Sequence, residues 1–205
     1  MHYLDHAASS PMRDEARQAL IAGSEQFGNP SSLHRFGQAA KARLEAARAR
    51  IGDSLGADSV EVILTGSGTE AINLALKGSY WASERPVVIL PEGEHHAVLD
   101  TAEWLAGQGA ELVWVPLERD GRIRVDAWGD ALAANAGRVA TASAIWVNNE
   151  LGTVQLVTEL LRVAAEYSVP VHLDAVAAYG HEPIDFSALL AINPGVSVSV
   201  SAHKI

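Results

Sequence analysis

Short β-branched apolar runs alternate with longer amphipathic, alanine-rich stretches along most of this chain. Val60–Thr65, Val87–Leu90, Leu112–Val115, Ala142–Val147, Val169–Leu173 and Val196–Val200 have the pattern of strands. Thr69–Ser83, Ala97–Ala106, Val125–Ala136 and Val157–Tyr167 have helical spacing. Strands that are apolar at nearly every position are buried on both faces. The predicted fold is therefore α/β, a mainly parallel multistranded sheet between helices. A further helix over Gln38–Leu55 sets Ala39, Ala42, Ala46 and Ala49 on one side, with Lys41, Arg43, Glu45 and Arg48 supplying polar surface. The predicted division is an N-terminal arm with helices over residues 1–55 and a large α/β domain over residues 56–205, with no repeat or linker between them.

Composition narrows the picture. The 205 residues suffice for a sizeable core, and 48% hydrophobic with 20% charged residues is the composition of a folded chain. A net charge of −10 argues against a nucleic-acid partner. Met1–His6 lacks the basic and apolar regions of a secretory signal, and no apolar run is long enough to span a bilayer. A cytoplasmic location with no membrane partner is the expectation. There are no cysteines, so these residues contain no disulfide and no thiolate nucleophile.

Five segments carry chemistry. Thr65-Gly-Ser-Gly68-Thr69-Glu70 joins a predicted strand to a helix, and its glycines and helix N-terminus suit an anion. Thr69 fits an N-cap whose hydroxyl also reaches a phosphate, although the same turn serves equally as a tight connection. Asp174 closes the strand Val171-His172-Leu173-Asp174, where it can pair with a protonated ring nitrogen or cap the next helix. His172 and Asp174 share a strand face but have no third ligand at diagnostic spacing, so no metal is expected. Glu94-His95-His96 follows another strand. An imidazole there can stack on a flat cofactor and move protons, or simply occupy a surface turn. Asn148-Asn149-Glu150 is open between a structural turn and a ligand contact. The last strand runs into Ser201, His203 and Lys204, a hydroxyl, an imidazole and an amine. All five lie at the C-terminal ends of predicted strands, which a sheet brings to one rim.

These segments resemble the cysteine desulfurases of the class V aminotransferase family, fold type I pyridoxal-phosphate enzymes. Tyr3-Leu-Asp5, Phe27-Gly-Asn-Pro30, Thr65–Glu70, Glu94–Asp100, Val147–Gly152, His172–Ala175 and Ser201–Lys204 match in the family's order. The resemblance implies the large domain of that fold, with pyridoxal 5'-phosphate as cofactor and the small C-terminal domain absent from this sequence. It makes Lys204 the Schiff-base lysine, Asp174 the partner of the pyridine nitrogen, and His95 the ring-stacking proton carrier. Gly68, Thr69, Ser201 and His203 are implied for the phosphate, and Asn149 for the vicinity of the cofactor hydroxyl. Ala177 stands where the family usually has a glutamine, so the cofactor's phenolic oxygen is expected to lack that donor.

The implied reaction takes L-cysteine to L-alanine and passes sulfur to an enzyme cysteine. The resemblance puts that cysteine and the substrate-carboxylate arginine beyond Ile205, so the 205 residues alone are expected to be inactive. A homodimer and a sulfur-acceptor or scaffold protein are the implied partners, in iron–sulfur cluster or thio-cofactor supply. Selenocysteine lyase, another class V enzyme, and a truncated or non-catalytic protein of this fold are the alternatives.

Overall fold

The structure, a computed structural model, describes residues 2–205. Two compact units divide the chain between Leu64 and Thr65. The first contains helices α1 (Asp14–Ser24) and α2 (Arg35–Leu55), then a 3₁₀ turn, Ser59–Glu61. Helix α2 starts at His34, whose Nδ1 accepts the Gly37 N–H at 3.3 Å. It stops at Gly56, where a left-handed φ of 64° lets the Ala57 N–H reach the Gly52 carbonyl at 2.9 Å. Arg48 reaches across the following turn to the Val62 carbonyl.

The predicted strand Val60–Thr65 is absent. Its β-branched residues find no ladder partner among the described residues, and the Glu61 carboxylate accepts the Asp58 N–H at 2.8 Å, drawing the start of the segment into a turn. Val60 and Ile63 are left 85% and 69% exposed. Strand propensity without a neighbouring strand is a weak force.

The second unit is the predicted sheet. β1 (Val87–Pro91), β2 (Glu111–Val115), β3 (Val139–Ile145), β4 (Val171–Asp174) and β5 (Ser197–Ser199) run parallel in the order β2-β1-β3-β4-β5. Helices α3 (Gly68–Trp81), α4 (His96–Gly107), α5 (Val125–Ala134), α6 (Val157–Glu166) and α7 (Phe186–Ile192) connect or precede them. Strand order reverses between β1 and β3, and a crevice for ligands opens at such a reversal, outside the carboxyl ends of the strands. Helices α1 and α7 lie outside the helical runs read from the sequence. Among the described residues no helix is long and apolar enough to cross a membrane.

The two sheet faces differ in chemistry. Val87, Ile89, Ala142, Ala144, Val171 and Leu173 face an apolar layer with Trp128, Leu132, Leu160 and Leu161 of α5 and α6. On the opposite face Val88 and Leu90 pack with Ile72 and Leu76 of α3 and with Val98, Ala102 and Leu105 of α4. Farther along that face the layer turns polar. Ser143, His172 and Ser197 are register neighbours, and so are Ile145, Asp174 and Ser199. His172 is 2% exposed, and its Nδ1 lies 3.0 Å from the Ser197 hydroxyl.

Trp128 anchors the apolar layer. It is fully buried, and its indole N–H donates to the Leu160 carbonyl at 3.2 Å. Replacing Trp128 with alanine is expected to lower stability by about 3–5 kcal/mol, with phenylalanine costing less. Urea unfolding of both variants measures this, and an unchanged midpoint for the alanine variant would contradict the packing described.

Candidate active site

The rim at the carboxyl ends of the strands is built turn by turn. After β1 the chain reverses through Gly93, whose φ is 85° and where an added Cβ would stand 2.8 Å from Leu117 Cδ1. Asn148, beyond β3, clamps this turn by donating from Nδ2 to the Gly93 carbonyl at 2.9 Å. Its Oδ1 accepts the N–H groups of Glu150 and Leu151 at 2.9 and 2.8 Å. Asn148 is therefore structural, and the next residue, Asn149, is half-buried.

His95 caps α4, its Nδ1 accepting the Ala97 N–H at 3.1 Å. A neutral ring so engaged carries its proton on Nε2. His96 turns outward and is exposed. At the end of β4, Asp174 is 3% exposed and accepts the Val176 N–H through Oδ1 at 3.0 Å. Burial pushes its carboxyl above the usual range. The Val176 N–H opposes this most strongly, then the charges of His95 and Lys204. One acid, one imidazole and one amine thus lie within electrostatic reach of each other. Lys204 itself is 8% exposed, on a 3₁₀ turn (Ala202–Lys204) rather than on the strand.

The glycine-bearing turn comes to the same rim. At Gly68 an added Cβ would meet Val176 Cγ2 at 3.0 Å and Ser201 Cβ at 3.5 Å, so the start of α3 lies against the residues that follow β4 and β5. The N-cap is Ser67, not Thr69, with its hydroxyl accepting the Glu70 N–H at 3.1 Å. Thr69 sits exposed in the first turn. The N–H groups of Gly68 and Thr69 precede the first intrahelical bond, from Ala71 N–H to the Ser67 carbonyl. Ser201 is half-buried and His203 exposed.

Glu94 is the residue that sequence reasoning left without a role. It is 6% exposed, lies against the Ser143 hydroxyl and the Ile145 backbone, and makes no hydrogen bond of good geometry. Burial first, and then the charge of Asp174, push its pKa up to about 8. His172, buried beneath the rim, is pushed down to about 4 by desolvation and is neutral. Neither burial was readable from the sequence, which places Glu94 in a turn and His172 in a strand but does not say what covers them.

The arrangement can receive a protonated heterocycle against Asp174, condense a carbonyl with the Lys204 amine, and hold an anion at the first turn of α3 beside Ser201. A phosphorylated pyridine aldehyde has all three features.

Comparison with known proteins bears on that chemistry. Residues 2–205 match the aminotransferase class-V family. The chain is 44% identical over 211 residues to an IscS-like cysteine desulfurase of Mycobacterium tuberculosis, covering 100% of this chain and 52% of that protein. It is 38% identical over 206 residues to cysteine desulfurase IscS of Dictyoglomus turgidum, covering 98% of this chain and 50% of that protein. A solved structure described as SspA in complex with cysteine superposes with a TM-score of 0.91 at 30% identity, covering 100% of this chain and 58% of that one. The chain spans about half the length of the curated relatives it matches.

The two buried titratable groups give stability a pH dependence of opposite sign. Glu94, raised from 4.5 to about 8, contributes stability below pH 4.5 that is lost as pH rises through 8. His172, lowered from 6.5 to about 4, contributes stability above pH 6.5 that is lost as pH falls through 4. Glu94→Gln is expected to be more stable than wild type at pH 8–9, by up to about 4 kcal/mol, with the advantage vanishing near pH 4.5. Urea denaturation across this range checks it. A constant difference at every pH would show that Glu94 is not buried as a neutral acid.

Proposed function

This chain belongs to the class V aminotransferase family, and from that premise we propose that it carries the cofactor side of the active site of a cysteine desulfurase. Members of the family depend on pyridoxal phosphate. The observation that carries the reading is the convergence of Asp174, His95 and Lys204 at the strand-end rim where Gly68 meets Ser201. It is supported by relatives at 44% and 38% identity named as cysteine desulfurases.

In this reading Lys204 would hold the cofactor through Nζ and would carry protons to and from the substrate's α-carbon. Asp174, its carboxyl oriented by the Val176 N–H, would bind the ring nitrogen and keep it protonated. Bound there, pyridoxal phosphate would supply a ring that accepts electron density when the α-proton of L-cysteine is removed. His95, with Nδ1 tied to the Ala97 N–H, would stack on the ring and exchange protons through Nε2. The first-turn N–H groups of Gly68 and Thr69, with Ser201 and His203, would hold the phosphate, and Asn149 would serve the ring hydroxyl. Ala177 offers no donor, so that hydroxyl would be left to Asn149 or to solvent.

The products are L-alanine and a sulfur atom passed to a thiol. These residues contain no cysteine, so the accepting thiol lies outside them. The proposal extends to a cytoplasmic homodimer that hands sulfur to an acceptor or scaffold protein for iron–sulfur cluster or thio-cofactor synthesis.

Two measurements test this. The full-length protein, reconstituted with pyridoxal phosphate, is expected to show an absorption band of bound cofactor that disappears in Lys204→Ala. Asp174→Ala is expected to weaken cofactor binding by at least about a hundredfold, because a buried cation loses its counter-charge. With L-cysteine and a reductant, the full-length protein is expected to release alanine and sulfide in equal amounts. A colourless protein after reconstitution, or a band untouched by Lys204→Ala, contradicts the assignment.

A further inference from the structure

The loop after β3 carries two neighbouring amides in different surroundings. Asn149, the candidate contact of the cofactor hydroxyl, is half-buried, whereas Asn148 is 6% exposed. An amide is tolerated in such a place only if its donor and acceptor atoms are engaged. Those of Asn148 are engaged on two segments at once. Oδ1 accepts the N–H groups of Glu150 and Leu151 at 2.9 and 2.8 Å. Nδ2 donates to the Gly93 carbonyl at 2.9 Å, 55 residues earlier in the chain.

The main chain of Asn148 closes the same loop. Its N–H donates to the Thr153 carbonyl at 3.0 Å, and its carbonyl accepts the Gly152 N–H at 2.9 Å. Residues 150 to 153 therefore all bond back to Asn148, with Asn149 enclosed between them. Across the gap, Gly93 stands two residues before His95. Its φ of 85° brings it against Leu117 Cδ1, and the chain leaves this turn for the His95 cap of α4. The set of bonds calls for asparagine. It needs an oxygen with two lone pairs and an N–H donor together on a short side chain. Serine can keep the short bonds within the loop but cannot reach Gly93, and alanine keeps neither.

We propose that Asn148 is a positioning residue: one end of its amide holds the loop of Asn149, the other holds the turn of His95, and the two functional side chains are thereby set relative to each other. The consequence for the reaction rests on the reading in the preceding subsection, whereas the clamp itself does not.

Three variants of the full-length protein test this. Asn148→Ser removes the tie to Gly93, Asn148→Ala removes both ties, and Trp128→Phe is a destabilised control in the apolar layer of the opposite sheet face. Amide hydrogen exchange without cofactor comes first. The Ala97 and Val98 amides, which bond to His95, are expected to exchange at least about tenfold faster in both Asn148 variants. The Glu150 and Leu151 amides are expected to quicken most in Asn148→Ala. With pyridoxal phosphate bound, kcat is expected to fall about tenfold or more in both variants, with KM for L-cysteine within about twofold. The pH midpoint of the bound-cofactor absorption band is expected to move further in Asn148→Ala than in Asn148→Ser, because only the former frees the loop of Asn149. Trp128→Phe is expected to leave kcat and this midpoint unchanged. Should Asn148→Ala not fold, Asn148→Ser carries the test through its Ala97 exchange and kcat.

Unchanged exchange at Ala97 and Val98, or a kcat loss that Trp128→Phe reproduces, overturns the proposal. A fall in kcat with the band midpoint fixed in both Asn148 variants overturns the arm to Asn149. If wild type binds no pyridoxal phosphate, the desulfurase reading fails instead, and the exchange rates still decide the clamp.

Discussion

A carboxylate held almost without solvent at the end of a parallel strand is the constraint around which this rim is organised. Asp174 is 3% exposed, and in that setting its charge must be met by donors and cations or be given up. The Val176 N–H supplies the donor, and Lys204 supplies a cation, with His95 beside them. Those partners arrive from β1, from the loop after β4 and from the turn after β5. No short segment of the chain could hold such an acid ionised. The sheet is what brings them together, since parallel strands end on one side and the loops that follow them share one edge.

The same sheet explains why polar groups are tolerated beneath the rim. A parallel sheet covered on both faces is expected to be apolar throughout. Here the face beneath α5 and α6 obeys that rule, and the face beneath α3 obeys it only at β1 and β2. Along β3, β4 and β5 that second face carries Ser143, His172, Asp174, Ser197 and Ser199. Such a layer is stable only if most of its groups are paired or neutral. His172 meets this by staying uncharged against Ser197, and Glu94 meets it by keeping a proton.

The turns of the rim are fixed by close contacts more than by charge. Gly93 adopts a left-handed conformation against Leu117 and is held by Asn148, which fixes where His95 begins α4. Gly68 lets the start of α3 approach Val176 and Ser201, and a side chain there would push the helix away from them. Ser67, rather than Thr69, caps that helix start.

Periodicity alone determined the alternation of strands and helices from β1 to β4, because apolar runs bounded by glycines and polar turns leave few alternatives. Motif order along the chain was enough to place His95, Asp174, Ser201 and Lys204 after strand ends, whereas the strand expected before Gly68 is absent. Only tertiary structure decided what became of Val60–Thr65, since a strand exists through its neighbour and this segment has none among the described residues. Short helices such as α1 and α7 depended on packing and local capping rather than on a long apolar stripe. The protonation of Glu94 and the structural duty of Asn148 were likewise out of reach of sequence. Both depend on which atoms lie across the gap between β1, β3 and β4, and hydrogen bonding and desolvation act through space, not along the chain.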